Sequence, residues 1–234
     1  DAEPVIVSTG MDESFKISPR ALQAAITDRT RLLFLNSPSN PTGAAYTRRE
    51  LDALGAVLAA HPHIVIAADD IYEHTYWAAE RFCSFAEVRP DLYERTVTIN
   101  GVSKCYAMTG WRIGYAGGPK AIVAAMKKLQ GQSTSNPSSI SQAATVAALN
   151  GDQQCVRDMN KAFKERHDYF VEALNSIEGF RCIRASGTFY AFPDASAAIR
   201  SLGLADDTAL AELILKEGDV AIVRRSRLPV RLHQ

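Results

Sequence analysis

Apolar positions along the chain fall into two kinds of pattern. Leu32-Leu33-Phe34-Leu35, Ile64-Val65-Ile66-Ala67-Ala68 and the shorter Val97-Thr98-Ile99 are continuous runs rich in branched side chains. Such runs predict strands buried on both faces between helical layers. Between the first two runs the spacing changes to a helical one. Thr47 and Glu50 stand three apart as a capping box, Leu51, Leu54 and Leu58 share one face, and His61-Pro62 ends the segment. An earlier helix is predicted from Ser18-Pro19, a cap followed by proline at the first helical position, with Leu22, Ala25 and Ile26 turned inward.

After Tyr115 the helical period takes over. Pro119 opens a segment with Ile122, Ala125, Met126 and Leu129 on one stripe, and Asn136-Pro137-Ser138-Ser139 breaks and restarts the chain. A long helix is predicted over 154–176, with Val156, Met159, Phe163, Phe170, Leu174 and Ile177 facing inward and Gly179 closing it. His167 falls at the gap in that stripe and reads as a surface or interdomain residue. Phe180 to Phe192 alternates loosely like strands, and Leu210, Leu213 and Ile214 mark a last helix closed by Gly218. Strand–helix alternation followed by a long helix predicts an open α/β domain over 1–150 and a smaller α+β portion over 151–234.

Composition narrows the function classes. The 234 residues carry 26 basic and 26 acidic side chains, 47% apolar and 22% charged types, which is ordinary for a packed globular chain. A balanced charge leaves no electrostatic footprint for nucleic acid or an anionic membrane. No run approaches the roughly eighteen apolar residues of a membrane-spanning helix. The four cysteines, Cys83, Cys105, Cys155 and Cys182, are dispersed with no Cys-x-x-Cys pair. They argue against a zinc ribbon or other metal site and against a disulfide scaffold, and they fit a reducing, cytoplasmic compartment.

Ligands of open α/β sheets sit at the carboxyl ends of the strands, and three polar clusters fall there. Asn36-Ser37-Pro38-Ser39-Asn40-Pro41-Thr42-Gly43 follows the first run, Asp69-Asp70-Ile71-Tyr72 the second, and Asn100-Gly101-Val102-Ser103-Lys104 the third. Singly each has an ordinary explanation: a turn, a helix cap, a chance Ser-Lys pair. Together they contain what pyridoxal phosphate needs. Lys104 supplies an amine for the aldehyde. Asp69 can hold the pyridine nitrogen protonated, so that the ring draws electrons from the substrate. Tyr72 and Asn40 are the groups available for the ring oxygen, and Ser103 with Arg112 for the phosphate.

These segments also carry a family resemblance. Asn40-Pro41-Thr42-Gly43, Asp69-Asp70-Ile71-Tyr72-Glu73 and Ser103-Lys104 through Thr109-Gly110-Trp111-Arg112-Ile113-Gly114-Tyr115 closely resemble the class I aminotransferases. The later segments Gln132 to Gln142 and Gly187-Thr188-Phe189-Tyr190 are similar to the bacterial aspartate aminotransferase branch. The resemblance runs from about Glu3 to Val223. It implies a three-layer, mostly parallel sheet in a large domain followed by part of a smaller one. It implies Lys104 as the cofactor-bound catalytic lysine and proton shuttle, Asp69 on the pyridine nitrogen, and Tyr72 and Asn40 on the ring oxygen, Asn40 also touching the substrate carboxylate. Arg112, with Ser103, is implied on the phosphate. The implied reaction is transamination between an amino acid and a 2-oxo acid, most simply aspartate and 2-oxoglutarate, in a homodimer with neither nucleic acid nor membrane as partner. An aromatic or prephenate specificity, a pyridoxal-phosphate lyase, and the sensor domain of a transcriptional regulator are the alternatives.

Against the family pattern, the chain is expected to begin well inside the large domain. On that pattern the given sequence is expected to lack the amino-terminal arm, a phosphate-loop glycine and a ring-stacking aromatic. After Val220-Ala221-Ile222-Val223 the run Arg224-Arg225-Ser226-Arg227 replaces the expected pattern and reads as a shifted frame, so Arg231 is not assigned to substrate. Asp70 is expected to be a helix-start or surface carboxylate. Cys105 is expected as a small core filler, and Trp111 and Tyr115 as packing residues of an antiparallel strand.

Overall fold

The computed structural model describes residues 2–224. Its sheet contains β1 (Leu32–Asn36), β2 (Val65–Asp69), β3 (Thr96–Gly101) and β4 (Gly114–Gly117) in that spatial order. The first three strands run parallel and β4 is antiparallel to β3. Asn36 is in register with Asp69, Asp69 with Ile99, and Gly101 with Gly114. That register draws the carboxyl ends of the three parallel strands level, and all three polar clusters leave the sheet on one edge.

Helices α1 (Pro19–Ala25), α2 (Arg48–Ala59) and α3 (Phe85–Val88) belong to this half. The Ala21 N–H donates to the Ser18 hydroxyl at 3.1 Å. At the start of α2 the Thr47 N–H donates to Glu50 Oε2 at 2.8 Å while the Glu50 N–H donates to Thr47 Oγ1 at 3.3 Å. Two amides that a helix start leaves unpaired are thereby satisfied, so the sequence signal became structure for the expected reason. Leu22, Leu51, Leu54 and Leu58 pack on Leu35 and Ile66; each fully buried side chain of this kind contributes about 1.5–3 kcal/mol. Arg95 closes the far end of α2, donating to the carbonyls of Leu58 at 2.6 Å and Ile64 at 2.7 Å. A cation there satisfies carbonyls the helix leaves free and fixes the entry into β2.

The other face of β1 differs from expectation. Leu32 is 56% and Phe34 58% exposed, because β1 is the edge of the described sheet and α1 and α2 cover only the face carrying Leu35. A continuous apolar run therefore marks the strand but not the burial of both its faces.

Beyond β4 the chain is helical: α4 (Lys120–Ser133), α5 (Ser139–Asn150), α6 (Gln154–Asn175), α7 (Ser196–Ser201) and α8 (Asp207–Gly218). Asp206 caps α8, its Oδ1 accepting from the Thr208 and Ala209 amides at 2.9 Å. The expected bounds of α6 hold, but its buried face is rotated. Val156, His167 and Val171 are buried, whereas Phe170 and Ile177 are exposed. Phe180–Phe192 forms no strand; only isolated bridges pair Arg181 with Asp194 and Tyr76 with Gly187. Alternation without a ladder partner is not enough to make a strand. Tyr115 lies on antiparallel β4 as expected, but Trp111 lies in a 3-10 turn over Thr109–Trp111 and is exposed. The short α3, α7 and the 3-10 turn over Pro90–Arg95 span too few residues for their periodicity to stand out in the sequence. The segment read as a shifted frame begins at Arg224, and all of it beyond that residue, Arg231 included, falls outside the described residues.

Candidate active site

The turn after β1 is built from its own polar groups. Asn36 Oδ1 accepts from the Asn40 N–H at 2.8 Å, and Asn36 Nδ2 donates to the Asp69 carbonyl at 3.1 Å. Asn40 is thus tied to the end of β2 through Asn36, with its own residue exposed. The Gly43 φ of +66° lies in the left-handed region, and a Cβ there would stand 2.5 Å from the Ala185 Cβ and the Gly187 carbonyl oxygen. Only glycine permits that turn and that approach.

What approaches is a strap over residues 185–190. It is wedged between the turn after β1 and the segment after β2. Ser186 N–H donates to the Gly43 carbonyl at 3.1 Å, Thr188 N–H to Thr75 at 2.8 Å, and Trp77 N–H to Ser186 at 2.9 Å. A Cβ on Gly187 would lie 2.4 Å from the Thr75 carbonyl oxygen, so this glycine too is demanded by packing.

Asp69 ends β2 half-buried, its Oδ1 accepting from the Ile71 N–H at 3.3 Å. Burial raises its carboxyl above the ordinary range, and the amide bond opposes that rise. Asp69 forms no ion pair among the described residues. Asp70 corrects the expectation of a surface carboxylate. It is 4% exposed, its Oδ2 has no hydrogen-bond partner among the described residues, and burial first, then the charges of Glu73 and Asp69, push it up to about 8. Successive side chains at a strand end point to opposite sides, so the neighbour of the candidate ligand residue is driven inward. There Glu73 accepts from Asn100 Nδ2 at 2.7 Å.

Tyr72 is buried, and its hydroxyl shares a 2.8 Å hydrogen bond with that of Tyr190. Burial, with Tyr190 and Asp69 adding to it, holds the Tyr72 hydroxyl far above the ordinary value. The Lys104 Nζ stands 5.9 Å from the Tyr72 ring centre and 5.9 Å from that of Phe189. Phe189 in turn lies 5.6 Å from Tyr72 and 5.3 Å from Phe163 of α6. Phe189 and Tyr190 stand against Tyr72, and Phe189 against Lys104, although residue-by-residue reasoning assigned neither. The segment Gly187-Thr188-Phe189-Tyr190 had been singled out, but nothing in its spacing showed that it returns to a lysine 85 positions earlier.

Lys104 and Tyr72 therefore share one aromatic wall, and the Asp69 carboxyl is close enough to act on the Tyr72 hydroxyl. Ser103 is half-buried beside Lys104, and Cys105 is buried as expected, its thiol pushed up to about 11 by burial. Arg112 is exposed, and its Nη1 donates to the Thr109 carbonyl at 2.8 Å. No hydrogen bond or ion pair joins Arg112 to Asp69 or Lys104 among the described residues. The donor set suits pyridoxal phosphate: a half-buried carboxylate and a primary amine, neither in an ion pair among the described residues, both neighbour the buried Tyr72.

The model of the family "Aminotransferase class I and II" matches residues 1–232. The chain belongs to this family. It is 51% identical over 229 residues to an aspartate/prephenate aminotransferase of Nitrosomonas europaea, covering 95% of this chain and 58% of that protein. A crystal structure of the aspartate aminotransferase of Rhizobium meliloti superposes with a TM-score of 0.89 at 44% identity, covering 94% of this chain and 56% of that one. The aromatic aminotransferase of Pyrococcus horikoshii gives a TM-score of 0.86 at 35% identity, covering 95% and 58%. The aminotransferase α/β fold expected for this chain is thus present in it, and the chain spans a little over half the length of these relatives. Among the described residues no helix is long and apolar enough to cross a membrane.

Proposed function

We propose that the protein of which this chain is part is a pyridoxal-phosphate-dependent aminotransferase exchanging the amino group of aspartate with 2-oxoglutarate. The observation that carries the reading is a half-buried Asp69 carboxyl, in no ion pair among the described residues, acting on the same Tyr72 that Lys104 faces at 5.9 Å. Relatives named aspartate or aspartate/prephenate aminotransferase support the substrate class. Bound pyridoxal phosphate supplies an electron sink for the bond to the substrate Cα proton.

The chain's own residues do the rest. Lys104 would hold the cofactor through its amine, and its Nζ is the group that would move the substrate Cα proton. Asp69 keeps a proton on the ring nitrogen, and a carboxylate in half-buried surroundings does this better than one in water. Tyr72 and Asn40 would serve the ring oxygen, and Asn40 also the substrate carboxylate. Ser103 and Arg112 would hold the phosphate, Arg112 exchanging its bond to the Thr109 carbonyl for one to the phosphate. Residues 1–150 form the cofactor domain and 151–234 the start of the smaller one, in a cytoplasmic homodimer.

Replacing Lys104 with alanine is expected to lower turnover of aspartate and 2-oxoglutarate by about 10⁴-fold or more and to remove the cofactor's lysine-bound absorbance at the same time. Retained turnover would exclude Lys104 as the catalytic residue.

A further inference from the structure

His167 sits on the inner face of α6, 6% exposed, in a position where the hydrophobic pattern has a gap. Its Nε2 is 3.0 Å from the Ala185 backbone nitrogen. An amide N–H can only donate, so Nε2 accepts and the ring proton of the neutral form is on Nδ1. The Tyr190 backbone also lies beside the ring, on the side that favours its protonated form. Ala185 and Tyr190 are the two ends of the strap that carries Phe189 and Tyr190 onto Tyr72 and Lys104. Trp77 completes the arrangement: its ring lies 5.5 Å from the imidazole, and its Nε1 donates to the Ala185 carbonyl at 3.0 Å.

We propose that His167, in its neutral Nδ1–H form, is a positioning residue that ties α6 to the 185–190 strap and so sets where Phe189 and Tyr190 stand against Tyr72 and Lys104. The inference rests on the aminotransferase reading only for the meaning of that wall; the tie itself is geometric. The middle of the strap is clamped by Gly43 and Thr75 through hydrogen bonds that do not titrate. The Ala185 N–H depends on a ring that does. Protonation at Nε2 turns the acceptor into a donor facing the Ala185 N–H, and that hydrogen bond cannot survive.

The charged groups around the ring come from both elements. Asp168 and Lys164 are on α6 and Arg184 leads into the strap; Arg166 lines the same cleft of about 330 Å³, with Phe163, Phe189 and Tyr190. Asp168 favours the protonated ring, but its carboxylate is already paired with Lys164 and with Arg184 at 2.9 Å. Burial dominates and lowers the imidazole below its ordinary 6.5. The neutral tie is therefore fully present above 6.5 and is lost as pH falls through the lowered value of the folded ring.

The test is amide hydrogen exchange at Ala185 in the isotope-labelled chain, expressed as protection relative to an unstructured amide and read without cofactor. In the parent, protection is expected to fall about tenfold or more between about pH 7.5 and about pH 5. His167→Gln places an oxygen where Nε2 was, and is expected to keep the high-pH protection within about threefold at both pH values. His167→Phe keeps the ring without the acceptor, and is expected to lose about tenfold at both. Parent-like protection in His167→Phe, or a parent profile flat with pH, overturns the proposal. Should His167→Phe also lose protection at Leu54 and Ile66, far from the strap, it has failed to fold, and the parent profile together with His167→Gln decides. A chain that shows the Ala185 profile but never loads cofactor at Lys104 overturns the aminotransferase reading and leaves the tie standing.

Discussion

Asp69, Tyr72 and Tyr190 are held by strand register, burial and a phenol–phenol hydrogen bond, whereas Asn40 and Arg112 stand exposed at the rim, Arg112 resting on a nearby carbonyl. Under the proposed function, the contrast separates two ways of recognising one ligand. A wall whose geometry the fold already fixes gives up little freedom when a ring lies against it. A rim arginine must leave one hydrogen bond to make a stronger, charge-assisted one, so it contributes to affinity more than to the placement of the reacting atoms. Electrostatics agree with that division: the wall groups are shifted by burial, and the wall is where charge must be managed.

The comparison is broken most severely by exchanging a wall group and a rim group. Asp69→Asn is expected to lower turnover by about 10²–10³-fold, because the ring proton loses its carboxylate. Arg112→Ala is expected to weaken cofactor binding by about 10–100-fold, with turnover at saturating cofactor changed less. Measuring turnover and cofactor affinity for both variants checks this. Equal effects of the two on turnover would erase the distinction between wall and rim.

A smaller effect tests whether the wall is set by the strap. Gly187→Ala brings a Cβ to 2.4 Å from the Thr75 carbonyl oxygen. It is expected to destabilise the fold by about 1–3 kcal/mol in denaturant unfolding. An unchanged midpoint would mean that the strap moves freely and cannot position Phe189 and Tyr190.

The smallest effect concerns the carboxyl behind the wall. Asp70 is pushed up to about 8 from an ordinary 3.8, so between those values the folded chain holds a proton the unfolded chain has lost. The stability linked to that proton is fully present below 3.8 and is lost as pH rises through about 8. Asp70→Asn removes the titration and is expected to flatten that decline, leaving the variant about 1 kcal/mol more stable than the parent at about pH 9. Parallel stability curves for the two chains would contradict the buried, unpartnered position of Asp70.

How much of this was legible beforehand follows the range of the interactions. The Thr47–Glu50 box, the Ser18 cap and the bounds of α6 are set within a few residues and could be read directly. So could the level carboxyl ends of β1, β2 and β3, which follow from short apolar runs each ending in polar residues. The face of α6 was misplaced because Phe170 and His167 are one helical turn apart, and which of them turns inward is decided by Trp77 and Ala185, remote in sequence. Asp70 was misread for a related reason: adjacent carboxylates look alike until the strand end sends one inward. Tyr190 could not be tied to Tyr72 from spacing at all, since 118 positions separate the two hydroxyls.

Trapping the cofactor is the most direct test of the central claim. Loading the protein with pyridoxal phosphate, reducing with borohydride and mapping the labelled peptide by mass spectrometry should place the added mass on Lys104, with the labelling abolished in Lys104→Ala and weakened in Arg112→Ala. A label on another lysine, or none while the fold is intact, would contradict the assignment of this wall as the cofactor site.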